Sequence, residues 1–189
     1  MILIPNFLTA CNLMSGCVSI LLASNGKPET ACWFVILSSF FDGIDGKVAH
    51  WLGQESEFGV YFDSFSDFVS FGIAPAFIFV RSSAHPFLIS VELVYWVYIL
   101  CCAFRLIRFH YSDKLGLYSD GSYFNGLPTT ASGVCFASIN LLIASTENRE
   151  LMLAFVLLLL SALMVSHLRF YNPKSLLSGG RPKAQNDKA

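Results

Sequence analysis

Apolar residues run along this chain in six long blocks, separated by short polar punctuation. The blocks lie at roughly 6–24, 29–51, 57–80, 86–110, 128–145 and 149–171. Each approaches the ~20 residues that an α-helix needs to cross the hydrocarbon core of a bilayer. The pattern therefore predicts an all-α, polytopic integral membrane protein with six transmembrane helices. Turns are predicted at 25–29, 81–86 and 146–150 on one side of the membrane. The other side carries 51–56, a longer polar loop at 111–127, and the tail from 172 onward. This division gives a membrane domain over 1–172 and a polar tail over 173–189.

Composition agrees with the pattern. Of 189 residues, 54% are apolar and 13% charged, and the mean hydropathy is +0.58, too greasy for an ordinary soluble domain. A net charge of −1 offers no basic field for nucleic acid. The six cysteines lie in apolar runs without zinc-site spacing and read as small buried residues. MILIPNFLTACN has no basic region ahead of its apolar run, which argues against a cleaved signal peptide. Lys27, Arg81 and Arg149 fall on the first set of turns. Lys47, Arg105, Arg108, Lys114, Arg169, Lys174, Arg181, Lys183 and Lys188 fall on or beside the second. By the positive-inside rule the second set and both termini are cytoplasmic.

Two pairs of aspartates interrupt the blocks. Asp42 and Asp45 are three residues apart in the second, and Asp63 and Asp67 four apart in the third. On helices each pair shares one face. The two blocks are antiparallel neighbours, and both pairs fall toward the cytoplasmic end, so they can converge. One carboxylate at mid-bilayer costs about 2.5–3.5 kcal/mol, and four cost on the order of 10 kcal/mol before compensation. Lys47 supplies one charge against four. One or two divalent cations balance the charge better, and carboxylates without adjacent His or Cys suit hard ions such as Mg²⁺ or Mn²⁺. Helix capping, or pairing with Arg105 and Arg108, is the structural alternative.

Asp42-x-x-Asp45-Gly46-x-x-Ala49 followed by Gly59-x-x-x-Asp63-x-x-x-Asp67 resembles the signature of the CDP-alcohol phosphatidyltransferase family. One departure is His50, where the family usually has an arginine expected near the nucleotide's phosphates; Lys47, on the same helix end, can supply part of that charge. The stretches IPNFLTACNLMSG (4–16), SEFGVYFDSFSDFVSFGIAPA (56–76), FRLIRF (104–109), FNGLPTTASG (124–133) and SHLRFYNPK (166–174) are similar to the family's phosphatidylserine synthase branch. Thr130 stands where that branch often has a second proline.

The resemblance implies six helices around a cytoplasm-facing polar cavity, commonly in a homodimer, in a membrane such as the bacterial inner membrane. It implies transfer of a phosphatidyl group from CDP-diacylglycerol to the hydroxyl of L-serine, with release of CMP. Two divalent metals would be held by Asp42, Asp45, Asp63 and Asp67, with Asp67 also the general base. Gly46, Ala49 and Gly59 would line the CDP pocket, with Lys47 and His50 toward its phosphates. Asn6, Thr9 and Asn12 would face the nucleotide or the metal ligands, ordinary interhelical hydrogen bonds being their alternative. Serine's carboxylate calls for an arginine fork. Arg105 and Arg108 share a helix face at the cytoplasmic end of the fourth block, with interfacial anchoring as the other explanation. Asn125, Thr129 and the turn at 126–128 make a second wall.

Rival readings keep the machinery but change a substrate: glycerol 3-phosphate or inositol phosphate as acceptor, or an archaeal-type lipid donor. A phosphorylated acceptor calls for more basic residues than Arg105 and Arg108. From another class, intramembrane carboxylates also serve proton- or cation-coupled transporters, which often show internal repeats that are not apparent here.

Overall fold

The computed structural model describes residues 3–52, 56–83, 89–114, 123–146, 148–166 and 169–171. Helices dominate them: α1 (Leu3–Ser24), α2 (Pro28–Leu52), α3 (Glu57–Asp67), α4 (Ala74–Ser82), α5 (Ile89–Lys114), α6 (Thr129–Leu142) and α7 (Arg149–Val165). A π-helical stretch, Phe68–Ile73, joins α3 to α4 without a break. Among the described residues, three runs are long and apolar enough by length and composition to cross a membrane: Pro5–Ser24, Glu57–Ser82 and Ser90–Tyr111. These are the apolar helices of a membrane protein.

Local chemistry sets the helix ends. Gly26 takes a positive φ of 74° in the first turn, and Pro28 opens α2 at a position where its missing N–H costs nothing. Ser56 caps α3, its hydroxyl accepting from the Gly59 amide at 3.0 Å. The π-helical stretch has a cause in Pro75, which cannot donate to the Phe71 carbonyl four residues back. The Tyr98 hydroxyl from α5 donates to that carbonyl at 2.9 Å and also lies 3.0 Å from Ser132 Oγ of α6.

The final apolar block is corrected by the structure. It was expected to span through to residue 171, but α7 ends at Val165 and Ser166 turns extended at φ −59°, ψ 156°. Residues Arg169–Tyr171 form a strand, β2, antiparallel to β1 (Tyr123–Asn125), with Phe124 opposite Phe170. The Tyr and Phe residues of both segments favour extended backbone over another helical turn. The loop expected from 111 also begins later, since α5 continues to Lys114.

Helix α1 packs along α2; α3, the π-helical stretch and α4 lie against α1; α6 rests on α2, and α7 on α5. Lipid offers no hydrophobic drive for such packing, so close approach of small residues and interhelical hydrogen bonds carry it. Ser15 donates to the Phe34 carbonyl and Ser19 to the Ala31 carbonyl across the α1–α2 seam, at 2.8 and 2.9 Å. A Cβ added to Gly133 of α6 would sit 2.8 Å from the Phe71 ring, which is why that helix comes so near the π-helical stretch. The dry centre is built from Phe71, Phe79, Tyr98, Phe136, Leu153, Leu157 and Met164, all fully buried. Leu93, Trp96, Leu100, Ile107, Leu151 and Phe155 point outward, as lipid-facing side chains do.

Candidate active site

The carboxylates converge as their helical spacing requires. Ligand oxygens of Asp42 from α2 and of Asp63 and Asp67 from α3 all lie within 4.8 Å of one another. Asp45 falls outside this group: it is 4% exposed, and its Oδ2 accepts from Thr9 Oγ1 at 2.9 Å. One helical turn separates Asp63 from Asp67, which aligns them, whereas Asp45 is held toward α1 by the Thr9 hydroxyl.

A second rank of polar groups holds these carboxylates. Asn12 of α1, fully buried, donates from Nδ2 to Asp67 Oδ1 at 3.3 Å. The Asn12 side-chain oxygen accepts from Ser38 Oγ, and Ser38 also donates to the Asn12 carbonyl at 2.9 Å. With its oxygen engaged by a donor, the Asn12 amide has its NH₂ free to face Asp67. Ser66 and Ser70 donate to the carbonyls of Thr9 and Asn12 at 3.2 and 3.1 Å, clamping α1 on either side of Asp67. Thr130 Oγ1 of α6 donates to Asp42 Oδ2 at 3.1 Å.

Two features of the group fit a hard divalent cation. Its donors are all carboxylate oxygens. Asp63 Oδ1 is buried without a hydrogen-bond partner among the described residues, and a buried carboxylate oxygen left in that state needs a counter-charge.

The remaining expected residues divide by what they touch. Asn6 Oδ1 lies beside Gly59, 3.4 Å from where a Cβ there would be. A Cβ at Gly46 would meet nothing within 4 Å, and Lys47 is exposed. The side chains of Ala49 and His50 in α2, and of Asn125 in β1, lie outside the described residues, as does the tail at 173–189. Arg105 Nη1 donates to Thr129 Oγ1 at 3.2 Å, and its guanidinium carbon stands 5.3 Å from the Phe109 ring centre. Arg108 instead turns to the end of α7, donating to the carbonyls of Met164, Val165 and Ser166 at 3.3, 3.1 and 3.4 Å. A guanidinium at a helix C-terminus satisfies carbonyls the helix leaves unpaired and complements its dipole. Gly126 passes beneath this contact with φ 85°, and a Cβ there would come 2.7 Å from Arg108 Nη2.

Sequence reasoning assigns no role to Ser38, Tyr98 or Thr130. Ser38 had a usable signal, since it precedes Asp42 by four residues and shares its helix face. Pro75 in the middle of an apolar block signals the freed carbonyl that Tyr98 meets. Thr130 is marked only as a departure from the branch's usual proline, which says nothing of Asp42, its partner 88 residues away.

Comparison with known proteins bears on this geometry. Residues 2–167 match the family model described as CDP-alcohol phosphatidyltransferase. The CDP-diacylglycerol--serine O-phosphatidyltransferase of Helicobacter pylori is 35% identical over 179 residues, covering 92% of this chain and 74% of the relative. The archaetidylserine synthase of Methanothermobacter thermautotrophicus is 36% identical over 171 residues, covering 89% of this chain and 70% of the relative. A CDP-diacylglycerol--serine O-phosphatidyltransferase of Methanocaldococcus jannaschii is 33% identical over 170 residues, covering 89% and 74%.

Proposed function

The chain belongs to the CDP-alcohol phosphatidyltransferase family, and we propose that it makes phosphatidylserine from CDP-diacylglycerol and L-serine, releasing CMP. The observation that carries this reading is the meeting of Asp42, Asp63 and Asp67 within 4.8 Å, on the two helices that hold the family signature. Relatives named for the serine reaction, similar over most of this chain, support the acceptor.

In this reading Asp42, Asp63 and Asp67 would hold one or two Mg²⁺ or Mn²⁺ ions, with Asp45 beside them on Thr9. The chemistry such an ion would supply there is neutralisation of charge on the pyrophosphate oxygens and on the departing CMP. The serine hydroxyl oxygen attacks the phosphorus that bears the diacylglycerol. A new P–O bond forms, the bond to CMP breaks, and the hydroxyl proton passes to Asp67, whose orientation is set by Asn12. Asn6, Gly46, Lys47, Ala49, His50 and Gly59 border the CDP side. Arg105, braced by Thr129, receives the serine carboxylate. Arg108 serves as the brace of α7, and Asn125 lies on the strand next to that end.

Six crossings, a cytoplasmic site and cytoplasmic termini, a bacterial inner-membrane location and assembly as a homodimer complete the proposal, with 1–172 as the membrane domain and 173–189 as its tail. The Lys and Arg distribution supports the orientation. A second reading keeps serine and changes the donor to an archaeal CDP-lipid, favoured by the relative named archaetidylserine synthase.

The test is mass spectrometry of the lipid product from purified protein supplied with Mn²⁺, a CDP-lipid and a choice of acceptors. Phosphatidylserine from CDP-diacylglycerol and L-serine is the expected product. Product only from the ether-linked archaeal donor would select the second reading. Phosphatidylglycerol phosphate or phosphatidylinositol phosphate alone would overturn the acceptor.

A further inference from the structure

The first turn of α6 carries two threonines that reach in different directions. Consecutive helical residues are about 100° apart around the axis, so their hydroxyls meet different neighbours. Thr129 Oγ1, buried, accepts from Arg105 of α5, and Thr130 Oγ1 donates to Asp42 Oδ2 of α2. One helix end thus touches both the carboxylate group, through Thr130, and Arg105, through Thr129.

Asp42 differs from its fellow carboxylates in how it is held. Asp67 has its brace on α1, as Asp45 has. Asp42 takes a hydrogen bond from α6, a helix that contributes no carboxylate to the group. A carboxylate hydrogen-bonded through one oxygen loses rotamer freedom and presents its other oxygen in a fixed direction. Groups that orient metal ligands in this way typically contribute 10–100-fold to metal affinity.

We propose that Thr130 is a positioning residue for cation binding, its hydroxyl fixing the Asp42 carboxylate against Asp63 and Asp67. This rests on the reading of those three carboxylates as the cation site. Thr130 touches neither substrate nor cation in this role; it acts through Asp42. The shape of the side chain is incidental and the hydroxyl is what counts. Valine at 130 keeps the volume and branching but lacks the donor, whereas serine keeps the donor and loses a methyl group.

The test is direct Mn²⁺ binding to the purified full chain in detergent, without substrate, followed by the electron paramagnetic resonance signal of free Mn²⁺. Thr130→Val should raise the dissociation constant about 10–100-fold, and Thr130→Ser should stay within about threefold of the unchanged protein. The thermal midpoint in EDTA should be the same for all three, separating ligand orientation from general stability. If valine lowers that midpoint, Thr130→Ala carries the same comparison. Unchanged Mn²⁺ affinity in a folded Val or Ala variant overturns the proposal, and so does equal weakening in the serine variant. Unsubstituted protein that binds no Mn²⁺ overturns the cation site itself, and this proposal with it.

Discussion

Asn12 is the residue on which the orientation of Asp67 depends most directly. Its amide oxygen takes the Ser38 proton and its NH₂ faces the Asp67 carboxylate. Asn12→Ala removes that bond and takes the amide donor from the buried Asp67 carboxylate, while Ser38 keeps the Asn12 backbone carbonyl as its acceptor. Half-saturating Mn²⁺ in a CMP-release assay should rise about 10–100-fold, read as a titration at saturating substrate. The two arginines separate by a different assay. Arg105→Ala should raise KM for serine about tenfold or more, as loss of a charge-assisted hydrogen bond worth about 1.5–3 kcal/mol implies. Arg108→Ala should leave KM for serine within about twofold but lower the thermal midpoint in detergent, because three carbonyls at the end of α7 lose their donor. The two aspartate pairs were legible from residue type and helical spacing, whereas Thr9 and Asn12 entered only through the family resemblance. The division between Arg105 and Arg108 was not, since both lie on one face of α5 and only the fold shows that α7 ends against one of them.

The helix pair at the heart of the site, α2 with α3, leads directly into an irregular segment. Asp67 closes α3, and the π-helical stretch begins at the next residue. A π-helical turn inside an α-helix changes the rotation between the parts before and after it, so the buried face of α4 need not continue in register from that of α3. Tyr98 secures the stretch by donating to the Phe71 carbonyl that Pro75 leaves without its usual partner. Tyr98→Phe keeps the ring in place and removes only the hydroxyl, with its bonds to the Phe71 carbonyl and to Ser132. A loss of about 1–3 kcal/mol is expected, seen as a lower thermal midpoint and a fall in turnover with little change in KM for serine. The first five apolar blocks became helical near their expected limits because a 20-residue apolar run has few alternatives in lipid, while the sixth stops at Val165. The strand pair at 123–125 and 169–171 was hidden because two three-residue segments so far apart in the chain carry no periodic signal.

For the whole molecule, the arrangement answers an energetic problem that composition poses. Four carboxylates in apolar helices are tolerated because α1 and α6 supply hydroxyl and amide donors to three of them. The buried Asp63 oxygen, unpartnered among the described residues, is where a cation is most needed. A site at the end of an apolar helix bundle suits a donor whose acyl chains stay in the bilayer while its headgroup meets a small acceptor from water. In the proposed reading Arg105, held by Thr129, supplies the single cation that one acceptor carboxylate calls for. The most direct test is CMP release by purified protein with CDP-diacylglycerol, titrated with Mn²⁺ in the presence and absence of L-serine, alongside Asp67→Asn. Release that requires both the cation and serine, and falls by about 10²–10⁴-fold in the variant, is the expected result. Release that ignores serine or survives EDTA, or an Asp67→Asn protein as active as the unchanged chain, would contradict a cation-organised phosphatidyl transfer to serine at this site.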